Sequence, residues 1–312
     1  MQTLQGAGAG TAPHKKTRPL GRWLRRNYTA YLFLLPFLLL FFLFTIVPVF
    51  ISFIMSFTEY DMFSAPVFVG IANYSDLLLD DEIFLLSLKN TFLFAAISGP
   101  VGFLLSFFVA WIINSLKCKN LFALAFYTPS ITSAVAMSVI WMYFFSGDRY
   151  GLINNLLIRL GVLSKPILWL LNENTIPAVV IFVSVWMSMG TGFLVFLAGF
   201  QSIPGELFEA GRIDGISTRF QELRYIAFPF MKPQLLFAAI NSIVGAFGVF
   251  DIAVSLCGMP SPNYAAHTIV AHLYDYAFIR FDMGYACAVA VLLFLITFVL
   301  SRISMKLFAS KE

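Results

Sequence analysis

Six stretches of about twenty or more residues, each nearly free of charge, limit what this chain can become. The first reads YLFLLPFLLLFFLFTIVPVFISFIM, from Tyr31 to Met55. The others are Thr91–Ile113, about Leu121 to Phe145, Ala178–Phe200, about Gln234 to Leu256, and Tyr285–Leu307. A helix crossing roughly 30 Å of hydrocarbon needs about 20 apolar residues, so each stretch is long enough to span a bilayer. Composition agrees: 60% of the 312 residues are apolar and 12% charged, where soluble domains carry about 45–50% and about 25%. The expected fold is an all-α membrane protein with six transmembrane helices. Pro36, Pro48, Pro100 and Pro129 fall inside the spans. There, neighbouring helices can satisfy a freed carbonyl, and bent helices that frame a path are expected.

Lysine and arginine set the orientation. Fifteen of the 20 basic residues fall on one side of the six spans. They are six before the first span, Lys117 and Lys119 in the short second-to-third turn, Arg212, Arg219, Arg224 and Lys232 in the fourth-to-fifth loop, and Arg302, Lys306 and Lys311 at the end. The first loop on the other side is acidic, with Glu59, Asp61, Asp76, Asp80, Asp81 and Glu82. Both termini are therefore expected in the cytoplasm of a multi-pass cell-membrane protein. The parts are a basic tail over 1–30, a transmembrane domain over 31–307 with a cytoplasmic loop at 201–233, and a short tail over 308–312. The tail before the first span has no cleavable signal pattern. Residues 146–177, including GLINNLLIRLGVL, read as an extracytoplasmic loop with a short amphipathic helix that packs across the span ends or meets an external partner.

Several chemistries find no support. There is no GxxxxGK[ST] loop, no HExxH and no GxSxG elbow. His14, His267 and His272 are too scattered for a metal site, and Cys118, Cys257 and Cys287 lack the spacing of a disulfide scaffold or a zinc site. Catalytic residues, bound cofactors and metals are not expected in this chain. Asp251 is the one acid well inside a span. It reads either as a helix-end acid near the outer interface or as an intramembrane proton carrier.

Small and polar residues do align within spans. Ser184, Ser188 and Thr191 share a face at steps of four and three, as do Asn241, Gly245 and Gly248. Such stripes serve helix packing or line a cavity for a polar solute. Between these two spans, Pro204 suits a helix start, Glu206 and Glu209 suit its early turns, and Gly215 ends or bends it. A second helix over about Thr218–Ala227 leads to Pro229 and Pro233. Leu207, Phe208, Ile213, Ile216 and Phe220 give this charged loop an apolar side, as expected of an element that docks on a soluble partner.

At this loop the chain resembles the permease subunits of binding-protein-dependent ABC importers. Their EAA loop, roughly EAAxxDGAxxxxxFxxIxLPxxxP, is matched by Glu209-Ala210-Gly211, Asp214-Gly215-Ile216, a shifted Phe220, Ile226, Phe228-Pro229 and Pro233. Gly211 replaces an Ala, Ile216 a small residue and Phe228 a Leu. RRNYTAYLFLLPFLLLFFLFTIVPVFISFIMSFTEYD and LCGMPSPNYAAHTIVAHLYDYAFIRFDMGYACAVAVLLF are similar to the carbohydrate branch, specifically to the first permease of its heterodimers. The resemblance implies a type I ABC importer permease (MetI-like) fold. It also implies a second permease subunit, two cytoplasmic ATPase subunits that use ATP and Mg, an extracytoplasmic solute-binding protein and a sugar substrate, with lipid around the chain and no nucleic acid. Glycerol-phosphate-like solutes are the alternative cargo, and a secondary transporter acting alone is the alternative class. The resemblance assigns Glu209, Ala210, Gly211, Asp214, Gly215 and Pro229 to ATPase coupling. Ser184, Met187, Ser188, Thr191, Asn241, Val244, Gly245 and Gly248 map onto the sugar pocket of disaccharide-transporting relatives. Gly245 and Gly248 leave room there that the neighbouring Phe247 is large enough to fill.

Overall fold

The computed structural model describes residues 28–308. Most of the basic tail expected over 1–30, and residues 309–312 of the C-terminal tail, lie outside the described residues. The chain divides into two units after Ile51. Helix α1 (Tyr28–Met55) begins in the first and has a mean hydropathy of 2.8. Its ladder widens into a π-turn at Phe42–Ile46, just before Pro48. A proline ring clashes with the carbonyl four residues back, here Phe44, and the wider turn moves that carbonyl aside.

The second unit holds the remaining long helices. Helix α2 (Glu82–Asn114) runs 33 residues, about 50 Å at 1.5 Å per residue. It starts well before Thr91 because Asp81 caps it, accepting a 2.7 Å hydrogen bond from Phe84 N. The third stretch, expected as one span, is broken into α3 (Lys119–Ile131) and α4 (Ala134–Phe144), bent by 98°. Thr132 and Ser133 are extended at the break. Thr128, Ser130 and Thr132 each donate a hydroxyl to a carbonyl of the last turns of α3. Of these, the Thr132 hydroxyl reaches Thr128 O, one of the four terminal carbonyls that the helix itself leaves unpaired. Among the described residues, the helices long and apolar enough to cross a membrane thus number five, or six if α3 and α4 form one span.

After α4 the expected amphipathic helix appears as α5 (Leu152–Arg159). Buried Asn154 holds its loop together. It donates to the carbonyls of Ser146, Asp148 and Ile167 and accepts from Ile167 N and Trp169 Nε1. Helix α6 (Ile176–Gln201) follows, then α7 (Gly205–Ile213). The expected Thr218–Ala227 helix is a short α-turn, Arg219–Glu222, opened by a capping box between Thr218 and Gln221. It passes into a π-turn at Leu223–Ala227 ahead of Pro229, repeating the device before Pro48.

Helix α8 (Lys232–Phe247) ends sooner than the fifth stretch predicts. The ladder breaks over Gly248–Phe250 and resumes as α9 (Asp251–Cys257). Asp251 therefore opens the last helical segment of the candidate span Lys232–Cys257, in keeping with the helix-end reading. A loop carrying α10 (Ile269–Tyr274) leads to α11 (Met283–Phe308). A two-stranded ribbon, β1 (Thr58–Glu59) against β2 (Val67–Phe68), is the sheet among the described residues.

Helix α2 packs along α6, and α8 packs against α2, α6 and α11. Lipid tails are as apolar as Leu, so close packing and interhelical hydrogen bonds, not the hydrophobic effect, hold these helices. Phe107 meets Phe196 edge to face at 5.2 Å, within a cluster that includes Phe193, Phe200, Met231 and Leu235. Ser106 Oγ donates to Met189 O at 3.2 Å, and Ser242 Oγ to Gly99 O at 2.9 Å, each bond worth about 0.6 kcal/mol by the membrane average.

Candidate functional site

Between α2, α6 and α8, with α9 at its edge, lies a cavity of about 740 Å³. Helix α6 contributes Ser184, Met187, Ser188 and Thr191, and α8 contributes Asn241 and Gly245, with Gly248 just beyond its end. Steps of three and four bring these to one face. Val244 is set apart. One position before Gly245, it is turned about 100° around the helix and lines a shallow hollow with Leu293, Phe294 and Thr297. Phe247 does not fill the cavity. It is buried against Phe92 at 5.3 Å, edge to face.

The wall can offer hydrogen bonds in both directions. Asn241 Nδ2 donates to Phe237 O at 2.9 Å, which leaves its second amide hydrogen and its carbonyl oxygen uncommitted. Ser188 Oγ donates to Val185 O and keeps its lone pairs. The hydroxyl of buried Ser184 has no partner among the described residues. Gly245 faces open space: a Cβ built there meets nothing within 4 Å.

The sequence reading missed the α2 wall, Ser98, Gly99, Gly102 and Ser106. Steps of four from Ser98 to Gly102 to Ser106 carried the same signal as the stripes on α6 and α8. Tyr127, Phe250 and Asp251 also line the cavity. No charged side chain other than Asp251, and no histidine, lines it among the described residues.

The loop joining α6 to α8 is the second candidate region. Glu209, Ala210, Asp214, Gly215 and Pro229 are exposed, and none of the three acids at 206, 209 and 214 is in an ion pair among the described residues. Gly215 takes φ +90°, a left-handed turn that glycine adopts freely. Ile213, 88% exposed, and Phe220, 63% exposed, stand beside these charges, while Phe208 and Ile226 are half-buried against the helix core. Gly211 is buried. A Cβ there would lie 2.8 Å from Ile226 Cδ1 and 3.2 Å from Ile216 Cδ1. The glycine at 211 and the isoleucine at 216 are therefore two halves of one packing solution.

The opposite end of α2 holds a buried polar knot that local sequence patterns did not reveal. Asp81 Oδ2 accepts from Tyr276 OH at 3.0 Å and from Tyr285 OH at 2.8 Å. His272 Nε2 lies 3.3 Å from the same oxygen without the alignment of a hydrogen bond. Burial pushes the His272 pKa down to about 4, against the opposing pull of Asp81. Burial works to raise the Asp81 pKa, but the Phe84 amide, the Tyr285 hydroxyl, His272 and Tyr276 hold it below the ordinary value. Asn90 Nδ2 donates to the carbonyls of Tyr264 and His267, and Thr91 Oγ1 accepts from Ile269 N, fastening the α10 loop to α2. No group of three or more His, Cys, Asp or Glu among the described residues is placed to hold a metal ion.

Long apolar helices around a polar cavity, with an exposed helical loop joining two of the lining helices, define a multi-pass membrane transport subunit. Residues 91–311 match the family of the binding-protein-dependent transport system inner membrane component. The chain belongs to this family and is an ABC transporter permease subunit of the inner membrane. It is 34% identical over 304 residues to the probable ABC transporter permease protein YesP of Bacillus subtilis, covering 95% of this chain and 96% of that one. It is also 34% identical to the arabinooligosaccharides transport system permease protein AraP of the same organism, covering 90% and 88%. To the sn-glycerol-3-phosphate permease UgpA of Agrobacterium fabrum it is 30% identical, covering 75% and 78%. Its fold matches a crystallised bacterial ABC transporter involved in import of the acidic polysaccharide alginate, with a TM-score of 0.77 at 22% identity, covering 93% of this chain and 98% of that one.

Proposed function

We propose that this chain is the first permease of a heterodimeric, ATP-driven importer of a sugar or oligosaccharide. One observation carries the reading: the helices that line the polar cavity, α6 and α8, are the two joined by the exposed loop over 201–233. Movement imposed on that loop reaches both cavity walls through continuous backbone. Hydroxyls, an amide and bare glycine surface suit a polyhydroxylated solute, which needs many modest hydrogen bonds around a roomy site. The names of relatives such as the arabinooligosaccharide permease point to the same class of cargo.

In this reading both termini and the loop are cytoplasmic. Arg219 Nη1 donates to Ser115 Oγ at 3.1 Å, so the loop lies beside the turn that carries Lys117, and basic residues gather on one side as the orientation rule requires. Glu209, Ala210, Gly211, Asp214, Gly215 and Pro229 dock on one of two ATPase subunits, where ATP and Mg²⁺ are used. Ser184, Met187, Ser188, Thr191, Asn241, Gly245 and Gly248 form this chain's half of the path, which a second permease completes and a solute-binding protein loads from outside. The test is reconstitution of the full complex, with and without the ATPase subunits, followed by uptake of labelled oligosaccharide. ATP-dependent uptake that vanishes without the ATPase is expected. Uptake by the permeases alone, indifferent to ATP and driven by an ion gradient, would overturn the reading.

A further inference from the structure

Asp251 is the charged group of the cavity wall that the importer mechanism above does not use. It opens α9 where the fifth span breaks, lines the cavity and is exposed. No hydrogen bond or ion pair engages its side chain among the described residues. Lysine, arginine and histidine are all absent from the described lining. The other polar groups of the lining are neutral, among them the Asn241 amide, the Ser188 and Thr191 hydroxyls, and the orphaned Ser184 hydroxyl. Low-dielectric walls focus the field of a carboxylate across the space they enclose.

We infer that Asp251 is a specificity-determining residue that makes this half of the path admit neutral or cationic glycans and reject anionic ones, whether uronates or phosphate esters. The inference rests on the sugar-importer reading and narrows it. A phosphate or uronate entering the cavity would exchange its hydration for a wall holding a like charge and no cation. That exchange is unfavourable twice over, through desolvation and through repulsion. A neutral glycan escapes the repulsion, loses less on desolvation than an ion does, and can use the Asp251 oxygens as hydrogen-bond acceptors for its hydroxyls. The contrast with relatives is chemical. Permeases named for glycerol-phosphate, and a transporter of the acidic polysaccharide alginate, share this fold, so the fold sets no limit on cargo charge and the side chains on the wall must do so.

The test uses the complete complex in detergent, without the solute-binding protein, so that selection upstream does not enter. Binding of a neutral glucose trisaccharide is compared with that of trigalacturonate, for the unaltered protein and for Asp251→Asn and Asp251→Lys. The unaltered complex should favour the neutral probe by about tenfold, equivalent to about 1.4 kcal/mol. Asp251→Asn should bring the ratio near one, and Asp251→Lys should reverse it. Salt gives a reading that needs no substitution. Raising ionic strength from about 0.05 to about 0.5 M shortens the screening length several-fold and should weaken the preference of the unaltered complex. An equal ratio in all three proteins, or a preference that salt leaves unmoved, would overturn the assignment of Asp251 while leaving the sugar path standing. Binding of neither probe to the unaltered complex would overturn the sugar path itself, and the inference with it.

Discussion

The two ends of α2 are built on opposite plans. At its start, around Asp81, polar side chains are buried and aimed at one another: a capped helix, two tyrosine hydroxyls and a histidine share one carboxylate. At its far end, beside Ser115, the loop bearing α7 leaves its acids and much of its apolar surface in the open, with Ile213 88% exposed. Buried polar groups are costly unless satisfied; Asp81 satisfies the helix cap and both tyrosine hydroxyls within the chain, while both ring nitrogens of His272 have no hydrogen-bond partner among the described residues. Surface charges beside exposed large apolar residues do little for the isolated chain, and they are the groups that the proposed docking on an ATPase subunit would cover. One end turns its polar groups inward, and the other turns them outward.

The sharpest break in this contrast is Asp81→Ala. It strands Phe84 N and two tyrosine hydroxyls, each worth about 1–3 kcal/mol when buried without a partner. A loss of about 3 kcal/mol is expected, seen as a lowered Tm of the detergent-solubilised protein. A Tm within 1 °C of the unaltered chain would remove the knot from the stability of the fold.

Acid should loosen the same end. The folded pKa of His272 lies near 4 and its unfolded value near 6.5. Between these values the unfolded chain binds a proton that the folded chain refuses, so stability falls as pH drops from 6.5 towards 4. His267 is shifted in the same direction by burial and contributes in the same window. Below about 4, protonation of Asp81, whose folded pKa is depressed, removes further stability. Tm measured across this range should fall with acid, and His272→Gln should flatten the slope without abolishing it. An unchanged slope would exclude His272 as its source.

At the other end the expected signature is lost function without lost stability. Glu209→Ala should cut solute-stimulated ATP hydrolysis by the reconstituted complex at least tenfold, roughly 1.4 kcal/mol of coupling. Its Tm should move by no more than about 0.5 kcal/mol equivalent, as for other exposed positions. Full coupling in this variant would remove Glu209 from the docking contact.

The smallest effect tests the packing beneath that surface. Gly211→Ala gains roughly 0.5–1 kcal/mol of helix preference but drives a methyl against Ile226 and Ile216, so the single change should be near neutral. Joined to Ile226→Ala, which removes the closer of the two contacts, it should become more stable than Ile226→Ala alone by about 0.5–1 kcal/mol. Strict additivity of the two changes in a thermal double-mutant cycle would show that the contact carries no energy.

How much of this was legible depends on the range over which each feature is encoded. The long spans could be read because twenty consecutive apolar residues are a local signal, and α6, expected from Ala178 to Phe200, runs from Ile176 to Gln201. The bend between α3 and α4 carried a local mark, the polar run Thr128-Pro129-Ser130-Ile131-Thr132-Ser133, but the apolar sequence on either side outweighed it in a reading by span length. The stripes on α6 and α8 follow from helical spacing alone. The knot at Asp81 joins residues nearly two hundred positions apart, a distance at which no periodicity speaks. Val244 shows the converse: a motif placed it with the cavity residues, and one step of helix rotation set it elsewhere.

The interlock of Gly211 with Ile216 and Ile226 bears on how such a loop can be exchanged. A chimera that imports alanine at 211 from a relative, but keeps the native isoleucines, inherits a crowded seam at the base of its docking surface. Positions 211, 216 and 226 therefore form a cassette to be grafted whole, and the unit of inheritance in this loop is a three-residue fit more than a linear motif.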